Sequence, residues 1–294
     1  MFAQSIDCNG RPLVLDRARI AGIVNITTDS FSDGGLWLDP AAAIAHGVRL
    51  VEEGADLLDI GAESTRPGAL PVSAEEQIAR VAPVIEALAT RVAVPISIDT
   101  SDASVMRAAV AAGAGLVNDV RALRGDGALD AVAELGVAVC LMHMQGEPRA
   151  MQQDPQYDDV VGEVHRFLTD RLFACQLAGI DRKRILVDPG FGFGKTLEHN
   201  LALLRDCARF AEIAPVMAGL SRKSMIGALT GHATPAERVA GSVAAALVAV
   251  QRGAAIVRVH DVAATRDALA VWAAVDSEKA PRVERAQRSP WDDE

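Results

Sequence analysis

Eight short apolar runs recur through this chain, each ending on or just before a polar or charged residue, with helix-like stretches between most of them. The runs are RIAGIVNIT, reaching Asn25 and Thr27; LLDIGAE, ending at Glu63; PISIDT, ending at Asp99 and Thr100; and LVNDV, carrying Asn118 and Asp119. They continue with VAVCLMH, ending at His143; ILVDPG, with Asp188; PVMAGLSRK, leading to Lys223; and AIVRVHD, running from Arg258 to Asp261. Strands buried on both faces read as continuous apolar runs, and strands alternating with helices make a parallel sheet. Eight repeats of that unit predict a single-domain (β/α)8 barrel, the TIM barrel. The carboxyl ends of its strands share one face, so the eight polar endings are expected to converge on one bowl.

Length agrees with that reading, since such a barrel takes about 250 residues and this chain has 294. Three segments are expected. Residues 1–17 form an N-terminal β-hairpin, because Asn9-Gly10 sits between two alternating segments; residues 18–276 form the barrel; and residues 277–294, charged and without apolar periodicity, form a poorly ordered tail. The formal net charge of −10, with no basic stripe, argues against nucleic-acid and membrane-surface partners. No apolar run is long enough to span a bilayer and the first residues lack a signal-peptide core, so the expected location is the cytoplasm. Cys8, Cys140, Cys175 and Cys207 show neither paired nor zinc-like spacing and read as reduced, packed thiols.

Helix starts are legible between the runs. Asp39 and Pro40 mark an N-cap and first turn for a helix to Glu53, Ser73 with Glu76 a capping box, and Thr234, Pro235 and Glu237 a similar start before a helix from Arg238 to Arg252.

Three of the expected connections carry chemistry. NITTDSFSDGG, from Asn25 to Gly35, is longer than a minimal βα turn and suits a substrate-covering loop. ESTRPGALPVS sets Arg66 beside a Pro67-Gly68 turn, which suits bidentate capture of a carboxylate or phosphate. DPGFGFGKT, from Asp188 to Thr196, fails the Walker spacing because Pro189 stands where a glycine is needed, so nucleotide hydrolysis loses its main support. Asp188 at a strand end is instead placed to accept two parallel hydrogen bonds from an amidine-like edge, and Asp99 and Asn118 add further polar groups to the same bowl. His143 has no assigned part and reads as structural.

Taken together and in order, NITTDSFSDGG, GADLLDIGAESTRPGA, SIDT, GAGLVNDV, LMHMQG, ILVDPGFGFGKT, GLSRKS and VRVHDV resemble the dihydropteroate synthases over about Ile20 to Val262. The resemblance implies condensation of 6-hydroxymethyl-7,8-dihydropterin pyrophosphate with p-aminobenzoate, giving 7,8-dihydropteroate and pyrophosphate in folate synthesis. It assigns Asp99, Asn118, Asp188 and Lys223 to the pterin ring, with Met142 as an apolar wall and Arg258 beside it. Asn25 resembles the family's magnesium contact, while Arg66, Arg258 and His260 resemble the groups that hold the pyrophosphate. Thr65, Arg66, Phe193 and Ser224 resemble the p-aminobenzoate site. The catalytic set so implied is Asp99, Lys223, Arg258, His260 and Arg66, with Mg2+ as cofactor, small molecules as partners and a homodimer built on the apolar segments Ser242 to Val250 and Leu269 to Val275. Two positions depart from the pattern: Thr28 stands where the family generally has proline, and Ala62 where a second glycine is frequent.

This set suits the chemistry. Breaking a C–O bond at a methylene on an electron-rich ring leaves positive charge on the ring and negative charge on pyrophosphate, so both ends need stabilising. An arylamine is nucleophilic at neutral pH, and no dedicated general base is required. Other readings stay open from sequence: a folate-dependent corrinoid methyltransferase sharing the pterin pocket, a non-catalytic pterin-binding paralogue, and, from Lys223 alone, a Schiff-base aldolase.

Overall fold

The computed structural model describes residues 4–26, 39–63, 72–146 and 151–276. Thr28, Thr65, Arg66, most of the loop after Asn25 and the expected tail at 277–294 lie outside the described residues. The chain opens with β1 (Gln4–Cys8) and β2 (Arg11–Leu15), an antiparallel hairpin turned at Asn9 and Gly10. Both turn residues have positive φ, as the tight turn matching strand twist requires.

The barrel follows as β3 (Arg19–Asn25), α1 (Pro40–Glu52), β4 (Leu57–Gly61), α2 (Ala74–Arg91), β5 (Ile96–Asp99), α3 (Ala103–Ala111), β6 (Leu116–Asp119) and α4 (Ala128–Leu135). It continues with β7 (Ala138–Met142), α5 (Val160–Leu177), β8 (Ile185–Asp188), α6 (Leu197–Arg205), α7 (Cys207–Ala211), β9 (Val216–Ala218), α8 (Ser224–Thr230), α9 (Val239–Gln251), β10 (Ala254–Val259) and α10 (Val262–Asp276). Strands β3 to β10 are parallel, pair in chain order and close where β10 meets β3.

The two-residue side-chain period of a strand decides what points inward. Ala21, Leu57, Leu116, Ala138, Leu186, Met217 and Ile256 share an apolar cluster with Ile6, Cys8 and Leu13 of the hairpin, which therefore plugs the amino-terminal mouth. A Cβ at Gly115 would run into the Cys8 carbonyl, so only glycine allows the hairpin this close. The opposite parity, with Leu58, Ile60, Ile98, Val117, Val139, Val187 and Val257, packs outward in the larger core that includes residues of the surrounding helices. Two residues beyond the inward apolar layer, the same face of the same strands carries Asp59, Asn118, Asp188 and Arg258.

Of the expected helix starts, Asp39 caps as expected, Ser73 caps through its half of the capping box, and Thr234 differs. Asp39 accepts from the Ala41 N–H at 3.0 Å with Pro40 opening the helix, and the Ser73 hydroxyl accepts from the Glu76 N–H at 3.2 Å. Thr234 makes no side-chain cap. Pro235–Arg238 forms a 3-10 turn that leads into α9 at Val239, and the Arg238 guanidinium donates to the carbonyls of His232, Ala233 and Arg222. All four cysteines are free and buried.

Candidate active site

Three consecutive barrel strands, β4 to β6, with β8 and the closing strand β10, bring the polar groups together. Arg258 on β10 donates from Nε to Asp59 Oδ2 at 2.5 Å and from Nη2 to Asp99 Oδ2 at 2.8 Å. Asn118 on β6 donates from Nδ2 to the same Asp59 oxygen at 3.1 Å, which spends one amide N–H and leaves its carbonyl oxygen as an acceptor. Asp59 is 1% exposed, and its second oxygen is one of two buried side-chain polar atoms without a protein partner among the described residues; the other is Ser97 Oγ. Asp59 and Ser97 are registered partners on β4 and β5. Gly61 keeps this corner open, since a Cβ there would lie 3.3 Å from the Asp99 Cβ.

Two carboxylates thus share one guanidinium at the centre of the bowl. Burial raises the Asp99 carboxyl above its ordinary value, Arg258 opposes that, and Asp59, Asp119 and Glu63 reinforce it. Burial works against the Arg258 charge, but Asp59 and Asp99 more than offset it, so the guanidinium stays charged. Asp119 is engaged locally: it accepts from the Ser101 hydroxyl and from the N–H groups of Arg121 and Leu123.

The opposite wall is the loop after β8. Asp188 Oδ1 accepts from the Gly190 N–H at 2.7 Å, and its second oxygen lies on the bowl side near Gly219. Burial raises the Asp188 carboxyl, with Lys223 opposing. Gly190, Gly192 and Gly194 all have positive φ, and a Cβ at each would meet the His143 carbonyl, the Lys223 side chain and the Gln145 carbonyl respectively. Lys223 donates to the Phe191 carbonyl, and its ammonium lies 4.6 Å from the Phe193 ring centroid. Burial lowers Lys223 to about 8, with Asp188 opposing. Met142 joins Val120, Met144 and Met151 in a small apolar cluster against which Phe193 packs.

The remaining expected residues lie along the β9, β10 and β3 rim. His260 Nδ1 is 3.0 Å from the Ser221 hydroxyl, which also accepts from the His260 N–H at 3.2 Å. Arg222, at positive φ, forms a two-point ion pair with Asp261. Ser224 is exposed at the start of α8, and Asn25 is half-buried at the end of β3, in register with Gly61. Ala62, one of the two departures, is buried. The structure thus brings Asp99, Asn118, Asp188, Lys223, Arg258, Met142 and Phe193 into one bowl, with His260, Ser224 and Asn25 at its rim.

Asp59 and Lys195 were not singled out from sequence. A lone carboxylate inside LLDIG, at even spacing from Gly61, was the readable signal for Asp59; Lys195 was visible only as the last lysine of a failed phosphate-loop pattern. Lys195 is 3% exposed and donates to His143 Nδ1 and the Phe193 carbonyl, each at 2.9 Å.

The profile of the family described as pterin binding enzyme matches residues 21–260. A dihydropteroate synthase of Neisseria meningitidis serogroup B is 55% identical over 268 residues, 89% of this chain and 94% of the relative. Dihydropteroate synthase of Xanthomonas albilineans, solved with 4-aminobenzoic acid, superposes with a TM-score of 0.89 at 61% identity, covering 94% of this chain and 100% of that one. The same enzyme solved with 7,8-dihydropteroate gives a TM-score of 0.85 at 59% identity, with the same coverage.

Proposed function

The chain belongs to the dihydropteroate synthases, pterin-binding enzymes, and from that premise we propose how its bowl carries the reaction. It is a transferase of folate biosynthesis, joining 6-hydroxymethyl-7,8-dihydropterin pyrophosphate to p-aminobenzoate with release of pyrophosphate. The observation that carries the assignment of roles is the convergence of Asp99, Asn118, Asp188 and Lys223 around an Arg258 shared by two carboxylates.

Asp188 accepts the paired N–H groups of the pterin's amino-pyrimidine edge through the oxygen facing the bowl, while its other oxygen stays with Gly190. Asn118 offers its carbonyl oxygen to a ring N–H, and Lys223 gives a cation beside the ring carbonyl. Met142 and its neighbours close one apolar face. As the C–O bond breaks, the ring gains positive charge, and Asp99, steadied by Arg258, lies where that charge is favoured. Because Arg258 is held by Asp59 and Asp99, its role is to couple the ring-facing carboxylates while carrying positive charge toward the leaving group. His260 and Arg66 complete the leaving-group side, and Thr65, Arg66, Phe193 and Ser224 receive the arylamine. The arylamine nitrogen attacks the methylene and gives up a proton to solvent.

Asn25 supplies one neutral amide oxygen, and no cluster of three or more His, Cys, Asp or Glu that could hold a metal occurs among the described residues. That donor set suits a magnesium ion whose other ligands are phosphate oxygens and water, arriving with the pyrophosphate. When bound, it supplies charge for the leaving group.

The chain acts on small molecules, and we place it in the cytoplasm as a homodimer. Among the described residues no single helix is long and apolar enough to cross a membrane. Val248 on α9 and Val271 and Val275 on the adjacent α10 are exposed, an apolar face that suits a second copy. Sedimentation of wild type against Val271→Lys tests this: an unchanged mass excludes that face.

The reaction is tested by incubating purified protein with the pterin pyrophosphate, magnesium and p-aminobenzoate and measuring pyrophosphate release. Release that needs all three supports the assignment. No release above a heat-treated control, with pterin binding intact, would refute it.

A further inference from the structure

Two buried polar side chains, Lys195 and His143, have no part in the roles assigned above. They meet under the loop after β8. We propose that Lys195 is a positioning residue for the arylamine subsite, its amine clasping the GFGFG loop to the end of β7 so that the Phe193 ring is held against Lys223. The inference rests on the reading of Phe193 as a wall of that subsite.

The geometry is specific. The Lys195 amine donates to His143 Nδ1 at 2.9 Å, to the Phe193 carbonyl at 2.9 Å and to the His143 carbonyl at 3.4 Å. Three acceptors thus surround the amine, two at the end of β7 and one on the loop. The loop itself has no regular structure to hold it: its three positive-φ glycines alternate with Phe191, Phe193 and Lys195. Its backbone presses on the His143 and Gln145 carbonyls so closely that no Cβ fits at Gly190 or Gly194. Phe191 is fully buried and anchors the loop below, whereas Phe193 reaches the bowl. On the far side Lys223 donates to the Phe191 carbonyl and lies over the Phe193 ring. The loop is therefore gripped between two lysines, one on each side. Lys223 serves the pterin, so a shift of Phe193 is felt first by the arylamine.

The partners of the clasp are themselves fixed. The His143 ring packs edge-on to Phe167 at 4.8 Å and lies 6.1 Å from Tyr157, whose hydroxyl donates to the Gly194 carbonyl at 2.9 Å. Burial, with Lys195 and Arg124 adding to it, lowers His143 to about 2, so the ring is neutral and Nδ1 can accept. Burial also lowers the Lys195 amine well below its ordinary value, with Asp188 opposing; even the neutral amine keeps two N–H donors, one for each of the 2.9 Å contacts to His143 Nδ1 and the Phe193 carbonyl.

The test compares Lys195→Met with wild type in steady-state kinetics and calorimetry. The expected result is a KM for p-aminobenzoate raised at least tenfold, with the Kd for the pterin pyrophosphate in magnesium unchanged within threefold. An arylamine KM within twofold of wild type, or equal losses in both ligands, would overturn the proposal. Should Lys195→Met fail to fold, Lys195→Ala assayed with and without added ethylamine takes its place: recovery of the arylamine KM supports the clasp, and no recovery overturns it. A wild-type chain without synthase activity would count against the reaction instead.

Discussion

Asp188→Asn separates the two duties of one carboxylate. In the structure Oδ1 is spent on the Gly190 N–H at 2.7 Å, and the group is 5% exposed, so water cannot stand in for a lost partner. An asparagine keeps the shape but has one oxygen and one NH2. If the oxygen stays with Gly190, the NH2 faces the donors of the pterin edge; if it turns to the pterin, two donors face each other at Gly190. Either way a hydrogen bond to a charged acceptor, about 1.5–3 kcal/mol, is lost and a buried donor goes unmet at about 1–3 kcal/mol more. The sum, about 2.5–6 kcal/mol, corresponds to pterin affinity reduced about a hundredfold or more. In the free protein no pterin competes, so the asparagine is expected to keep its oxygen on the Gly190 N–H and to melt close to wild type. Asp188→Ala is expected to lose as much affinity and also about 1–3 kcal/mol of stability, because Gly190 is then orphaned. Calorimetry with the pterin pyrophosphate, paired with thermal denaturation, reads both. Asparagine affinity within fivefold of wild type would mean that Asp188 does not receive the pterin edge.

Asp59→Asn removes one of the two carboxylates on Arg258, and kcat/KM for the pterin substrate is expected to fall ten- to a hundredfold, about 1.5–3 kcal/mol; a change under twofold would show Arg258 to be oriented by Asp99 alone. The pH profile of kcat/KM is expected to be bell-shaped, with its alkaline limb near 8 from Lys223, and a profile flat through that value would remove Lys223 from the binding step. In stability the signs differ. Asp99, raised by burial, contributes stability that is full below the unfolded value of about 3.9 and lost as pH rises through its folded value; the penalty on Lys223 is full below about 8 and eases as pH rises toward the unfolded value of about 10.4. Ile6→Ala in the hairpin should cost about 2–5 kcal/mol in denaturant unfolding, the range for emptying a closed core site, and a loss under 1 kcal/mol would mean the plug is not stabilising. Cys140, inside the barrel with its thiol pushed up by burial, should resist thiol reagents until the chain unfolds, and rapid labelling of the native protein would contradict that packing.

The barrel was readable because its strands are buried on both faces, which turns each into an apolar run with a polar last residue. What those runs hide is parity. ILVDPG and LVNDV each contain an inward and an outward residue of similar character, and only closure of the sheet puts Asn118 inside while Asp119 turns to cap its own loop. Asp59 shows the same limit from the other side, as a charge inside an apolar run whose partner, Arg258, lies 199 residues away. Arg258 was placed with the anion-holding groups from the resemblance, and its two carboxylate partners became visible only when β10 closed on β3. Thr234 illustrates the local version: the cap pattern was present, but the hydroxyl makes no cap bond and the segment it opens is a 3-10 turn. Lys195 had no local signal for its burial, since its side-chain partner His143 lies 52 residues back, just past the end of β7.

The plug at the amino-terminal mouth bears on how the molecule is made. Ile6, Cys8 and Leu13 are synthesised before every barrel strand, yet the floor they cover includes Met217 and Ile256. That floor is complete only when nearly the whole barrel exists, so the hairpin is buried long after it is made. Until then the hairpin holds only its own ladder, and the glycine gap at 115 waits for it. The strands that open and close the barrel thus share one floor with the hairpin, besides the ladder that joins them directly.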